Sequence, residues 1–226
     1  MKTWENLSRR IERKEKLHFT LIDPDKQSSE AAGEIALFSY LAGTDVILIG
    51  GSSGAEESKV EQTIIGIRKK IKKFIPIILF PSGASALSVL ADGVLFMSLL
   101  NSNDPRYIVR EAAKGTLHIK TAGLEPISMG YLIISPGMKV GEIGKADLLR
   151  RDDCRKALQY AFFAKYFGAK LLYLEAGSGS PEPVSNEMIR TIKENTGIPL
   201  IVGGGIKNRE TALEKLKAGA DIIVTG

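Results

Sequence analysis

Short apolar, β-branched runs recur along the chain and amphipathic stretches separate them. The runs are HFTLI (18–22), DVILI (45–49), PIILF (76–80), GVLFMS (93–98), YLIIS (131–135), KLLYLE (170–175), PLIVG (199–203) and DIIVT (221–225). Their apolar character is nearly continuous rather than alternating, as expected of parallel strands buried on both faces. The stretches between them predict helices near 29–42, 55–73, 104–115, 153–167, 182–195 and 207–218. Strands alternating with helices make βαβ units, and eight such strands predict an α/β fold, a closed (β/α)8 TIM barrel. An internal echo supports repetition of one unit. AGTDVILIGG (42–51) matches AGADIIVTG (218–226), and IPIILFPSG (75–83) matches IPLIVGGGI (198–206).

Two places depart from a regular barrel. Only Pro81–Asp92 separate the third and fourth strands, so the third helix is expected to be reduced or replaced. The chain stops at Gly226, at the end of the eighth strand, so the closing helix of a complete barrel is expected to be absent from it. A length of 226 residues without a linker or low-complexity tract predicts one domain over 1–226.

Composition narrows the partners. Hydrophobic residues are 44% and charged residues 25%, ordinary for a soluble protein. The net charge of +5 favours anionic partners: phosphates, nucleic acid, or transient contact with an anionic membrane surface. The excess gathers partly in IRKKIKKF (67–74) and LLRRDDCRK (148–156), which read as solvated helix faces. No nucleic-acid motif or aromatic-laced basic stripe is present, so nucleic acid is not an expected partner. Cys154 is the single cysteine, which precludes an internal disulfide and fits a reducing cytoplasm. The polar start MKTWENLSRRIERKEK is no signal peptide, and no apolar run is long enough to span a bilayer.

The candidate chemistry sits at the strand ends. Gly203–Gly205 end strand seven and Gly226 ends strand eight. In a barrel those two loops commonly hold a phosphate. Glycine lets backbone N–H groups approach the anion, and the next helix points its positive end there. The alternative is a tight turn without ligand, for which one glycine suffices. EAGSGSPEP (175–183) adds the hydroxyls of Ser178 and Ser180 and, in Glu175, a carboxylate able to take a proton from a substrate hydroxyl. LIDPDK (21–26) places Asp23 and Asp25 around a stiff proline, suited to Mg2+ or simply to a capped turn. Ser52 in GGSSG lies next door. A cation site beside a phosphate cradle suggests two phosphorylated substrates, one a diphosphate. Phe80, Phe96, Met97 and Tyr131 supply apolar surface for a trough, and a reduced third helix would open it to a long lipid tail.

HFTLIDPDK (18–26), AGTDVILIGGSS (42–53), FMSLLNS (96–102), GYLIISPGMKVG (130–141) and YFGAKLLYLEAGSGSP (166–181) are specific. With IPLIVGGGI and AGADIIVTG they resemble the geranylgeranylglyceryl phosphate synthase family, in its archaeal-type second subfamily, related to bacterial heptaprenylglyceryl phosphate synthases. The resemblance implies a Mg2+-dependent prenyltransferase of archaeal-type membrane lipid synthesis. It would join sn-glycerol 1-phosphate to geranylgeranyl diphosphate by an ether bond and release diphosphate. Asp23 and Ser52 would hold Mg2+ and the diphosphate. Tyr173, Leu174, Glu175, Ala176, Gly177, Ser178 and Gly179, with Tyr131, would line the glycerol phosphate site. Gly204, Gly205 and Gly226 would bind its phosphate, and Glu175 would take the hydroxyl proton. A homo-oligomer is implied as well.

Two rivals remain from the residues themselves. A phosphate-binding isomerase needs an acid and a base on opposing strand ends, yet strand five ends in SPG, and His18 and His118 lie away from the mouth. A non-catalytic phosphate- or flavin-binding barrel would leave the DPD segment and Glu175 without a role.

Overall fold

The structure, a computed structural model, describes residues 2–51 and 56–226. Its centre is a closed parallel barrel of eight strands in sequence order. They are β1 (Leu17–Ile22), β2 (Val46–Ile49), β3 (Ile77–Leu79), β4 (Gly93–Leu99), β5 (Glu125–Ile133), β6 (Leu171–Glu175), β7 (Leu200–Gly203) and β8 (Ile222–Thr225). The ring closes where β8 pairs with β1, Leu17 opposite Ile222 and Thr20 opposite Thr225. Strand side chains alternate between two apolar layers. Phe19, Leu48, Ile78, Tyr131, Tyr173 and Val224 fill the interior, while Ile47, Leu132, Leu174 and Val202 face the helices. Both layers exclude water, which explains the unbroken apolar runs.

Helices α2 (Ser29–Leu41), α3 (Glu57–Lys70), α4 (Glu111–Ala122), α6 (Cys154–Tyr166), α7 (Asn186–Thr196) and α8 (Arg209–Ala218) form the outer layer. Four of them start on a side-chain cap: Ser28, Asp153, Ser185 and Asn208 accept from the backbone N–H three residues on. Between β3 and β4 the crossover is reduced to a single 3-10 turn, Ala84–Ala86, as the spacing predicts.

Four features are not visible in the apolar runs. Helix α1 (Thr3–Glu12) precedes the barrel; its Leu7 is buried and Trp4 and Ile11 pack on the interior cluster. Its charge masks an i, i+3, i+7 stripe, and burying one such leucine contributes about 1.5–3 kcal/mol. Strand β5 starts six residues before the YLIIS run. Its first residues pair with β4 from Gly93↔Glu125 onward, whereas pairing to β6 begins only at Met129↔Leu171. One side of that segment is an edge, so Pro126 and alternating burial are tolerated. A short helix α5 (Met138–Ile143) follows β5, and a π-helical turn (Arg106–Arg110) precedes α4.

Asn101 fastens this region to the barrel. It is buried; its Nδ2 donates to the carbonyls of Ile133 and Asp147, and its Oδ1 accepts from the Ile133 N–H at 3.1 Å. The SLLNS segment thus ties the end of β4 to β5 and to the loop carrying α5.

Candidate active site

Parallel pairing sets the strand ends side by side in a ring. Glu175 lies opposite Gly203, and Gly203 opposite Val224. The loops carrying Gly177–Gly179, Gly204–Gly205 and Gly226 therefore form one row. Gly226 packs on Leu21 of β1, and Asp23 follows β1 directly. The row predicted to cradle a phosphate thus runs into the predicted cation site.

Glu175 is the chemical centre of this face. It is 7% exposed, and its Oε1 accepts the Gly177 N–H at 2.6 Å. The hydroxyls of Tyr173 and Tyr131 donate to the same carboxylate. Burial pushes its carboxyl above the usual range, against the pull of those three donors. Burial and the neighbouring Glu175 charge push both tyrosines well above their ordinary value, so they remain neutral donors. A carboxylate that holds its proton more tightly than usual is a better base for a hydroxyl.

The glycine run serves this carboxylate as well as any anion. A Cβ on Gly203 would collide with the Tyr173 hydroxyl, and one on Gly204 with Glu175 Oε1. Gly204 also has φ +79°, which strains any other L residue. Helix α8 begins at Arg209 behind this loop, with Asn208 as its cap.

The structure separates the predicted substrate residues into two groups. Tyr131, Tyr173, Glu175, Gly177, Gly204, Gly205 and Gly226 converge on the mouth, with Ser178 and Gly179 exposed beside them. Leu174 and Ala176 do not: alternation along β6 turns their side chains into the outer core. The Ala176 N–H donates to Gly203 and its carbonyl accepts from Gly137. Ser180 is also structural, because its hydroxyl donates to the Glu182 carbonyl at 2.6 Å.

At the predicted cation site Asp23 and Asp25 differ. Asp25 Oδ1 lies 2.7 Å from Lys59 Nζ, whereas Asp23 Oδ2 pairs more loosely with Lys26 Nζ at 3.7 Å. Asp23 Oδ1 accepts the Asp25 N–H at 3.0 Å, and its carboxylate lies against Gly51, where a Cβ would collide with it. Ser52 lies outside the described residues. Among the described residues no cluster of three or more His, Cys, Asp or Glu could cage a metal. A single carboxylate fits a Mg2+ whose other ligands are substrate phosphate oxygens and water.

The trough also divides. Phe80 and Tyr131 pack in the barrel interior with their rings 5.5 Å apart, whereas Phe96 faces outward. Phe96 and Ile119 line both a narrow cavity of about 50 Å³ under the 3-10 turn and a larger one of about 850 Å³ below it. The two lie along the outside of the barrel, from Pro81 at the mouth to Glu125 at the far end of β5. Glu111 joins the upper walls. Its carboxylate bonds Lys114 and Arg106 at 2.9 and 3.0 Å and accepts the Ala84 N–H. Neither Glu111 nor Asn101 was marked by the sequence as part of the site. Asn101 lies within a quoted motif, but Glu111 has no sequence signal, because its partners meet only through the missing helix.

The family model that describes PcrB matches residues 9–226. The chain belongs to the PcrB family. Curated relatives of this PcrB chain are named geranylgeranylglyceryl phosphate synthase. The Thermococcus kodakarensis protein is 48% identical over 94% of this chain and 84% of its own length. The Picrophilus torridus protein is 44% identical over 100% and 92%. Among solved structures, the (S)-3-O-geranylgeranylglyceryl phosphate synthase of Thermoplasma acidophilum with sn-glycerol-1-phosphate superposes with TM-score 0.96. It is 43% identical and covers 100% of this chain and 90% of its own. Membership of the PcrB family sets aside the isomerase and flavin-barrel readings.

Proposed function

We propose that this chain joins the 3-hydroxyl of sn-glycerol 1-phosphate to geranylgeranyl diphosphate, giving the prenyl ether and diphosphate in archaeal-type membrane lipid synthesis. The observation that carries this reading is Glu175, a buried carboxylate with a raised affinity for protons at the inner edge of a glycine-lined anion row. The relatives' name and the glycerol phosphate bound in the Thermoplasma acidophilum structure support the substrates.

The glycine row binds the glycerol phosphate by backbone N–H groups and sets its free hydroxyl toward Glu175. The prenyl tail lies in the outer groove beneath the 3-10 turn, with its diphosphate at Asp23. Mg2+ held by Asp23, when bound, neutralises charge on the leaving diphosphate. The allylic carbon–oxygen bond breaks with its electron pair on the diphosphate, the glycerol oxygen forms the new bond to that carbon, and Glu175 takes the proton. Tyr131 and Tyr173 orient the carboxylate, and the apolar interior keeps water from the allylic cation.

Among the described residues no helix is long and apolar enough to cross a membrane. We place the chain in the cytoplasm, delivering product by transient contact at the membrane surface. The aromatic ridge of α6, with Tyr166 and Phe167 79% and 83% exposed, supports a homo-oligomer.

The test is product formation. Incubation with geranylgeranyl diphosphate, Mg2+ and sn-glycerol 1-phosphate should give the ether by mass spectrometry. EDTA or the 3-phosphate enantiomer should abolish it. Equal product from both enantiomers would rule this reading out.

A further inference from the structure

The inference concerns Phe80 and rests on the reaction proposed above. Three lines of the site meet at this residue. Its backbone N–H donates to the Ile49 carbonyl at 2.7 Å, and its own carbonyl lies against Gly50, where a Cβ would collide with it. The next residue of that strand end, Gly51, abuts the Asp23 carboxylate, which would hold Mg2+ for the diphosphate in the reaction proposed above. In the other direction the chain continues from Phe80 through Pro81, Ser82 and Gly83, which wall the groove for the tail. Across the barrel, the Phe80 ring stacks on Tyr173 at 5.6 Å and meets Tyr131 edge-on at 5.5 Å. Both tyrosines donate to Glu175.

The reacting carbon is subject to the same three constraints. It joins the tail to the diphosphate, and it must come within bonding reach of the glycerol oxygen held at Glu175. Its place is therefore beside the Phe80 ring, which is only half-buried at the end of β3. As the carbon–oxygen bond of the diphosphate breaks, positive charge spreads over the allylic carbons. An aromatic face attracts such a charge through its quadrupole, most strongly where water is excluded. Phenylalanine has a further merit at this point: it carries no lone pair. A hydroxyl or carboxylate against the cation would compete with glycerol for the new bond, and the nearby tyrosine oxygens are engaged with Glu175.

We propose that Phe80 is a catalytic residue whose ring face stabilises the allylic cation between the breaking bond to diphosphate and the forming bond to glycerol.

Replacement of Phe80 in the full chain by 4-fluoro-, 3,5-difluoro- and 3,4,5-trifluorophenylalanine changes the quadrupole with little change of shape. The single-turnover rate with geranylgeranyl diphosphate and sn-glycerol 1-phosphate should fall by a roughly constant factor per fluorine, at unchanged KM and unchanged Tm. F80L, which removes the ring, should lose about 30-fold in rate, the equivalent of about 2 kcal/mol at 1.36 kcal/mol per tenfold. It should also raise the share of geranylgeraniol formed by water capture. A rate that does not respond to fluorination overturns the role of Phe80, as does one that falls only in step with Tm. A wild-type chain that forms no ether overturns the reaction itself and this role with it.

Discussion

Lys59 Nζ lies 2.7 Å from Asp25 Oδ1, whereas Lys26 Nζ lies 3.7 Å from Asp23 Oδ2, so the two carboxylates of one turn have different partners. Hydrogen bonding to Asp25 raises the Lys59 ammonium above its ordinary value, so the pair stays charged. Asp25 is tightly paired on the surface, and Asp23, 3.7 Å from Lys26 Nζ, lies against Gly51. D25N should keep activity within about threefold, as expected of an exposed pair. D23N should lose about 10²–10³-fold in rate and require far more Mg2+. Steady-state kinetics against Mg2+ concentration would decide this, and equal losses in the two variants would contradict it.

Glu175 should show a conflict between stability and activity. Its carboxyl is raised above the usual range by burial, so the folded chain binds that proton more tightly than the unfolded chain. This contribution is fully present below the unfolded carboxylate value of about 4.3 and is lost as pH rises through the higher folded value. E175Q removes that loss. Its Tm at neutral pH should equal or exceed that of the wild type, while its rate falls about 10²–10⁴-fold. The acid limb of the wild-type kcat profile should lie above the ordinary carboxylate range. Thermal melts and rate measurements across pH would test both statements.

Gly203 tolerates no side chain. The Cβ of G203A would enter the space of the Tyr173 hydroxyl, which is itself fixed by Glu175. Such overpacking costs about 1–3 kcal/mol. The companion variant G203A/Y173F, which deletes the hydroxyl, should recover most of that stability in denaturant titrations. No recovery would place the strain elsewhere.

Glu111 should affect the tail and leave the glycerol phosphate untouched. E111A cuts the link between the 3-10 turn and the π-helical turn, since Ala84 and Arg106 both bond that carboxylate. KM for geranylgeranyl diphosphate should rise about fivefold, roughly the net effect of one ordinary hydrogen bond. KM for sn-glycerol 1-phosphate and for a short allylic diphosphate should stay within error. A uniform change in all three would show a purely structural role.

The strand-to-helix alternation, the eightfold count and the reduced crossover between β3 and β4 were all legible in the sequence, because parallel strands buried on both faces leave continuous apolar runs. Helix α1 and the first half of β5 were not, because charge and an edge position interrupt the run while tertiary contacts still form the element. Glu175, Asp23 and the glycines were legible as strand-end chemistry. Their contacts were decided in three dimensions. Asp25 pairs with Lys59 and Asp23 with Lys26, and strand alternation buries Leu174 and Ala176 between residues that face the mouth. Barrel closure brings Phe80 of one side against Tyr131 and Tyr173 of the other. Local sequence determines which groups stand at the strand ends. Distance across a closed barrel, which no local pattern encodes, determines which of them meet.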